Sequence, residues 1–424
     1  MASRLNSKSR LAAFLGLSGA NAAAALINVA VLPYIARLVD PHQFGLSAAV
    51  LLVSALCATA VSGRYEVGAA VADHSAIGNT ESFQLARLAV GLTLLSALVL
   101  QLGIETWAQF GSSGDHLSTW RWLPLLTLTT ACTSIQTLLD TRTARYSVLA
   151  CLIVARPIVL VIAVWAASSL GTSVTAGPLC AAYVVSAIPS TMRAIWLTGR
   201  RSGQARPSMS QYAAIAKKHS KLPRLQVPAA LLNALSGSLL GLTVTWSFGP
   251  AALGAFSMAT RLTYLPSTVA GGPINTLYLR EAVLAKDDSR VSKRYYLIAL
   301  IGSVAVGLCA IPVLAMLSPH LDLVLGPAWS SIDAYVFATI PLMGALLISA
   351  PANSALMTHE RQRALLGWRI LLVACPAIGL ILTGSAGASP AIGIAVGSCI
   401  ALVVSCAYAA FGLKAVARPR ESGG

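Results

Sequence analysis

The chain has 424 residues, 56% of them hydrophobic and only 10% charged, whereas an ordinary soluble domain carries about 25% charged residues. That balance excludes a soluble enzyme or a nucleic-acid-binding domain and describes a chain that lives in a bilayer. The formal net charge of +16 does not point to a polyanionic partner, because most basic residues fall in short gaps between apolar runs, as in cytoplasmic loops.

In chain order, apolar stretches fall near 11–36, 44–63, 83–104, 121–140, 147–170, 174–198, 225–247, 251–279, 296–318, 332–357, 370–384 and 390–413. All but one reach about 20 residues, enough to cross a hydrocarbon core roughly 30 Å thick. The exception, 370–384, is short and carries Pro376. It is expected to borrow from Gly367-Trp368-Arg369 or to run on toward Ala388. The first stretch imitates a secretory signal, with basic MASRLNSKSR ahead and Ala20-Asn21-Ala22 as a cleavage-site mimic. Its apolar run continues to about Arg37, longer than a signal core, so it is taken as the first span.

Twelve spans put both termini on one side. With the N-terminus cytoplasmic, 27 of the 30 Lys and Arg fall on the cytoplasmic side, Arg37 and Arg121 on the other, and Arg261 within the membrane. Such a bias fixes orientation, and a missed span would invert the sign of every later loop. The largest basic stretch, Arg193–Arg224, falls at the midpoint and reads as a linker held at an anionic leaflet surface.

The midpoint also divides an internal repeat. Asp40-Pro41-His42-Gln43-Phe44-Gly45 closes the first span and opens the second; Gly249-Pro250-Ala251-Ala252-Leu253-Gly254 does the same between the seventh and eighth, offset by 209 positions from Pro41 to Pro250. The expected architecture is an all-α polytopic membrane protein of about 12 transmembrane helices in two parallel six-helix lobes. The N-lobe is residues 1–199, a basic cytoplasmic linker 200–224, the C-lobe 225–413 and a cytoplasmic tail 414–424.

Polar groups inside the spans mark the candidate site. One arginine, Arg261, sits about ten residues into span 8, where a guanidinium costs about 2.5–3.5 kcal/mol and needs protein or water around it. Ser257, Arg261, Tyr264, Thr268, Gly271/Gly272 and Asn275 follow the 3.6-residue period as one stripe. Span 1 adds Ser18, Asn21 and Asn28 on one face, span 7 adds Asn233, Ser236 and Thr243, and span 10 adds Ser349 and Asn353. Each alone reads as an interhelical hydrogen bond worth on the order of 0.6 kcal/mol; the set reads as the lining of a shared cavity. The candidate cargo contacts are thus Arg261, Asn21, Asn28, Asn233, Tyr264, Asn275 and Asn353. Arg64, Tyr65 and Glu66 end span 2 at the cytoplasmic face as a gate or interfacial anchor. Two positions apart on a helix, Arg64 and Glu66 would not face each other, so each is expected to find another partner. The eight cysteines all lie in apolar segments without metal-ligand spacing, and no cofactor or metal is expected.

Several pieces spread over the chain resemble the Wzx-type polysaccharide exporters, flippases of the MOP superfamily that also holds the MATE transporters. They are Ala36-Arg37-Leu38, Asp40-Pro41, Phe44-Gly45, Arg64-Tyr65-Glu66, Phe248-Gly249-Pro250 with Gly254, Arg261-Leu262 with Pro266, Leu325-Gly326-Pro327-Ala328-Trp329 and Arg361-Gln362-Arg363. The resemblance implies two lobes around a cavity open alternately to cytoplasm and periplasm. It also implies a bacterial inner-membrane location and an undecaprenyl-pyrophosphate-linked oligosaccharide as cargo, for O-antigen, capsule or exopolysaccharide. Related lipid II flippases hold cavity arginines on helices 1, 2 and 8; here only helix 8 has one at depth.

The resulting expectation is a non-enzymatic flippase. Its partners would be the lipid-linked glycan, membrane lipids and the pathway's polymerase or glycosyltransferases, with no nucleic acid. The rival is a MATE-like cation-coupled drug antiporter, which would want carboxylates at depth; only Asp140, near a cytoplasmic end, comes close. A membrane glycosyltransferase or polymerase would need a large acidic periplasmic loop, and a non-transporting component of a glycan-assembly complex is a further alternative. No ATPase motif is present, which leaves an ion gradient or the cargo gradient to drive export.

Overall fold

The computed structural model describes residues 7–72, 76–110, 117–170, 174–199, 209–220, 222–272, 274–275, 278, 289–358 and 362–417. Among them no strand occurs. The main helices are α1 Ser7–Leu38, α2 Pro41–Val61, α3 Tyr65–Val71, α4 Ala76–Phe110, α5 Leu117–Trp120, α6 Leu123–Arg142, α7 Tyr146–Ser169 and α8 Ala176–Gly199. After these come α9 Met209–Lys218, α10 Val227–Thr263, α11 Ser289–Leu317, α12 Leu321–Leu325, α13 Ile332–Thr358, α14 Gln362–Ser385 and α15 Pro390–Ala417. Ten described helical segments are long and apolar enough to cross a membrane. They leave apolar rows uncovered, such as Leu95, Leu98, Val99 and Leu102 on α4, each at least 57% exposed. In water such a row would drive aggregation, and in a bilayer lipid covers it.

Local chemistry explains the punctuation. Asp40 caps α2 by accepting the Gln43 N–H on Oδ1 at 2.9 Å, and Pro41 occupies the first helical position, where its missing donor costs nothing. Within the 37 residues of α10, Gly249 takes φ 84°, ψ 177°, so the chain turns there and restarts at Pro250. Only glycine adopts that conformation cheaply, and this is the turn the repeat anticipated. The short stretch 370–384 is the core of α14, which begins at Gln362; it borrows Gly367-Trp368-Arg369 as expected, and Ala364, Leu365 and Leu366 resume the apolar run ahead of them. The basic linker holds two ordered pieces, α9 and a π turn at Leu222–Gln226.

Two compact units emerge. One comprises residues 1–27 and 46–238, the other residues 28–45 and 239–424. In the first, α6 packs on α8 and α4, and α7 on α8. A buried cluster there joins Tyr65, Ala69, Leu85, Ala89, Ile135 and Leu139, with Ile215, Ala216 and Leu222 laid against it. In the second, α15 packs on α13 and α14, and α11 on α13. Its ring contacts include Tyr278 edge-on to Tyr296 at 5.8 Å, and the partly buried Trp368 tilted on Tyr408 at 5.4 Å.

Candidate functional site

Within the second unit, residues 28–45 meet the arm of α10 that begins at Pro250. A Cβ added to Gly45 would stand 1.8 Å from the Pro250 carbonyl oxygen, and one added to Gly254 would stand 1.9 Å from that of Pro41. The two copies of the repeat therefore pack on each other reciprocally, each glycine under the other copy's proline carbonyl. Only a residue without a Cβ permits that approach.

One turn along, the contact gains side chains. Phe44 is buried, and Trp329 stands edge-on to it with ring centroids 5.7 Å apart and planes at 81°. The Trp329 indole N–H donates to the Ala36 carbonyl at 2.9 Å. Beside it Arg37 donates from Nε to the Val324 carbonyl at 3.1 Å and from Nη2 to that of Leu323 at 3.3 Å, a cation at the carbonyl end of α12. The Phe44 ring also meets a charge: the Arg261 guanidinium lies over it, 5.0 Å from its centroid. Such a cation–π contact contributes about 0.5–2 kcal/mol, more as water is removed. Motif pieces from residues 36–45, 249–261 and 325–329 thus converge on one locus.

Arg261 is half-buried. Its side chain leans back toward the start of its helix, as helical side chains do. Because Phe44 is the fourth residue of α2, the charge is carried toward the Pro41 end and away from the mid-span depth of its own backbone. The stripe beyond it is interrupted. The α-helix stops at Thr263 and a π turn runs from Ser267 to Gly271, which adds a residue per turn and breaks the 3.6 period. Gly271 is buried toward Leu347, whereas Gly272 and Thr268 are exposed. Thr260, Thr263 and Ser267, which lie off the stripe, donate to carbonyls of their own helical turns.

The other expected residues lie on α1, on α10 and the segment that follows it, and on α13. Tyr264 is half-buried just beyond α10. Asn275 accepts from the Ser354 hydroxyl at 2.9 Å and Asn353 from the Tyr408 hydroxyl at 2.8 Å, both bonds to other segments of the second unit. Asn21, in the first unit, and Asn28, in the second, are exposed on α1. Asn233 lies on α10 with its side chain outside the described residues, as do the side chains of Arg361, Gln362 and Arg363.

Arg64, Tyr65 and Glu66 correct the sequence expectation. Arg64 pairs with Glu66, Nη1 to Oε1, at 3.4 Å. The pair forms because Arg64 is not helical: it takes φ 61°, directly after Gly63 at the same φ, and α3 starts only at Tyr65. Glu66 and Tyr65 are buried. A second buried acid, Asp140 on α6, is held by Arg193 through Nη2 at 2.7 Å and Nε at 3.2 Å, and by the Gln136 amide at 2.6 Å. A separation of 53 residues hid this pair from the sequence. Glu81 likewise receives Lys218 and His219, which fastens the linker to α4.

Solved structures share this fold. An inward-facing multidrug-resistance MATE transporter of the MOP superfamily superposes with a TM-score of 0.70 at 13% identity, over 93% of this chain and 95% of that one. The lipid II flippase MurJ, in an inward closed conformation, gives 0.73 at 11% identity over 94% and 87%. A MOP-superfamily transporter from Pyrococcus furiosus, described by the reverse polarity of its binding pocket, gives 0.52 at 13% over 96% of each chain. No curated protein sequence matches. The fold is that of the MOP superfamily, in a multi-pass membrane protein. The chain belongs to the polysaccharide biosynthesis protein family, whose model matches residues 34–334.

Proposed function

We propose that the protein is a non-enzymatic flippase that moves an undecaprenyl-pyrophosphate-linked oligosaccharide across the bacterial inner membrane by alternating access of two six-helix lobes, both termini being cytoplasmic. Family membership supports the glycan pathway, and the MurJ and MATE likenesses support a transporter fold. The observation that carries the choice of cargo is the state of charge in the spans. Arg261 places a cation over an aromatic ring, and the buried acid Asp140 is paired with Arg193. A cation-coupled antiporter needs an exchangeable carboxylate at depth, and no Asp or Glu occupies the middle of a span. In this reading Arg261 meets the pyrophosphate or an acidic sugar, for which a planar, forked donor is suited.

The test is a deletion strain. Surface or secreted glycan should stop, the lipid-linked intermediate should accumulate in the cytoplasmic leaflet, and drug resistance should stay unchanged. Normal glycan together with altered sensitivity to cationic drugs would favour the antiporter instead. Complementation with Arg261→Ala should restore membrane abundance without export, and Arg261→Lys should restore part of the export. Full export by the alanine variant would remove Arg261 from the cargo path.

A further inference from the structure

The repeat supplies a comparison inside one chain. At the offset that matches Pro41 with Pro250 and Gly45 with Gly254, Phe44 corresponds to Leu253 and Arg261 to Leu52. The backbone contact is kept in both copies, while the aromatic–cation pair is divided between them: the first copy supplies Phe44 and has Leu52 at the arginine position, and the second supplies Arg261 and has Leu253 at the phenylalanine position. An aliphatic residue thus suffices to pack the Leu253 position, which is itself fully buried. The ring at Phe44 is more than filling.

We propose that Phe44 is a positioning residue for Arg261: its π face holds the guanidinium plane, and Trp329, anchored by its bond to the Ala36 carbonyl, holds Phe44. A guanidinium stacked on a ring gives its face to the ring and keeps its N–H donors in the plane, the geometry in which it grips an oxyanion such as a pyrophosphate. Without the ring, the long side chain loses one of the contacts that order it, and that part of the ordering entropy is taken from binding. This inference rests on the proposed cargo role of Arg261 and assigns a separate residue to it.

The probe is farnesyl pyrophosphate, with farnesol as the phosphate-free control, titrated against the purified full chain. Phe44→Tyr keeps the π face and should bind like the parent. Phe44→Leu keeps an apolar side chain without the face and should bind the pyrophosphate about two- to thirty-fold more weakly, with farnesol unaffected. Adding Phe44→Leu to Arg261→Ala should cost nothing further, because the group being positioned is gone. Phe44→Met replaces the leucine variant if that fails to accumulate. Equal losses for Tyr and Leu, or a leucine effect that persists in full on Arg261→Ala, would overturn the positioning role while leaving Arg261 itself in place. Unchanged binding in Arg261→Ala alone would instead overturn the cargo role, and the positioning role with it.

Discussion

Gly254→Ala tests the reciprocal contact between the repeat copies. The added methyl would lie 1.9 Å from the Pro41 carbonyl oxygen and 2.9 Å from its carbon. A comfortable C···O contact is about 3.3–3.6 Å, so the two backbones must part by roughly 1.5 Å. The obstacle is main chain, which cannot swing aside as a flexible side chain would. Overpacking of this kind costs about 1–3 kcal/mol and occasionally more. Alanine returns up to about 1 kcal/mol through helix propensity, so a clash at the top of that range leaves a net loss of about 2 kcal/mol. Gly45→Ala should behave alike, with its methyl 1.8 Å from the Pro250 oxygen. The double variant should cost less than the two singles together, because the first methyl has already parted the chains. Gly91→Ala is the control: nothing lies within 4 Å of its Cβ, so only the propensity gain applies. Melting in detergent, read beside membrane abundance, measures all four. A Gly254→Ala protein as stable as Gly91→Ala would refute the close approach.

The other tests address separate features. Asp140→Ala should cost about 3–5 kcal/mol by stranding Arg193 in a largely buried position; replacing both residues with apolar ones should cost less, and an unaltered melting curve for the single variant would contradict the ion pair. Arg37→Ala removes both donors from the Leu323 and Val324 carbonyls and should lower stability modestly, by about 1 kcal/mol given its exposure to solvent; a loss as large as that of Asp140→Ala would mean the residue does more than cap a helix. Single cysteines near Ser112 and His320, in a cysteine-free background, should react with an impermeant thiol reagent in intact cells, whereas one near Ser208 should not. Labelling at Ser208 would invert the topology.

Most of the fold was written in local patterns. Apolar length placed most of the spans, although α4 and α11 begin seven residues ahead of their apolar stretches, and the Gly249-Pro250 turn was readable because glycine and proline have few conformational alternatives. The 370–384 stretch was expected to borrow from Gly367-Trp368-Arg369, and it does: the helix runs through them from Gln362, because Ala364, Leu365 and Leu366 resume the apolar run on their far side. The stripe beyond Arg261 is interrupted by a π turn at Ser267–Gly271, which leaves no mark in composition yet rotates the side chains that follow. Arg64 and Glu66 looked incompatible only while both were assumed helical; the left-handed pair Gly63 and Arg64 removes that assumption. Pairs far apart in sequence, Asp140 with Arg193 and Phe44 with Trp329, were beyond a reading of one chain, because identical residues could have met elsewhere. The locus around Phe44 was nevertheless visible as motif pieces whose common purpose only their convergence reveals.

The hydrogen bond from Trp329 to the Ala36 carbonyl joins residues 293 positions apart, and that from Arg37 to Val324 spans 287. A ribosome adding about 5–20 residues per second takes some 15–60 s to cover such a distance. Through that interval the end of the first helix is inserted but has no Trp329 to meet, and the glycine at 45 waits for Pro250. Residues 46–238 can settle on contacts among themselves while residues 28–45 remain uncommitted. The opening segment of this protein is thus among the last to acquire its neighbours, and a chain truncated before Gly326 would display that unfinished end to the quality-control proteases of its membrane.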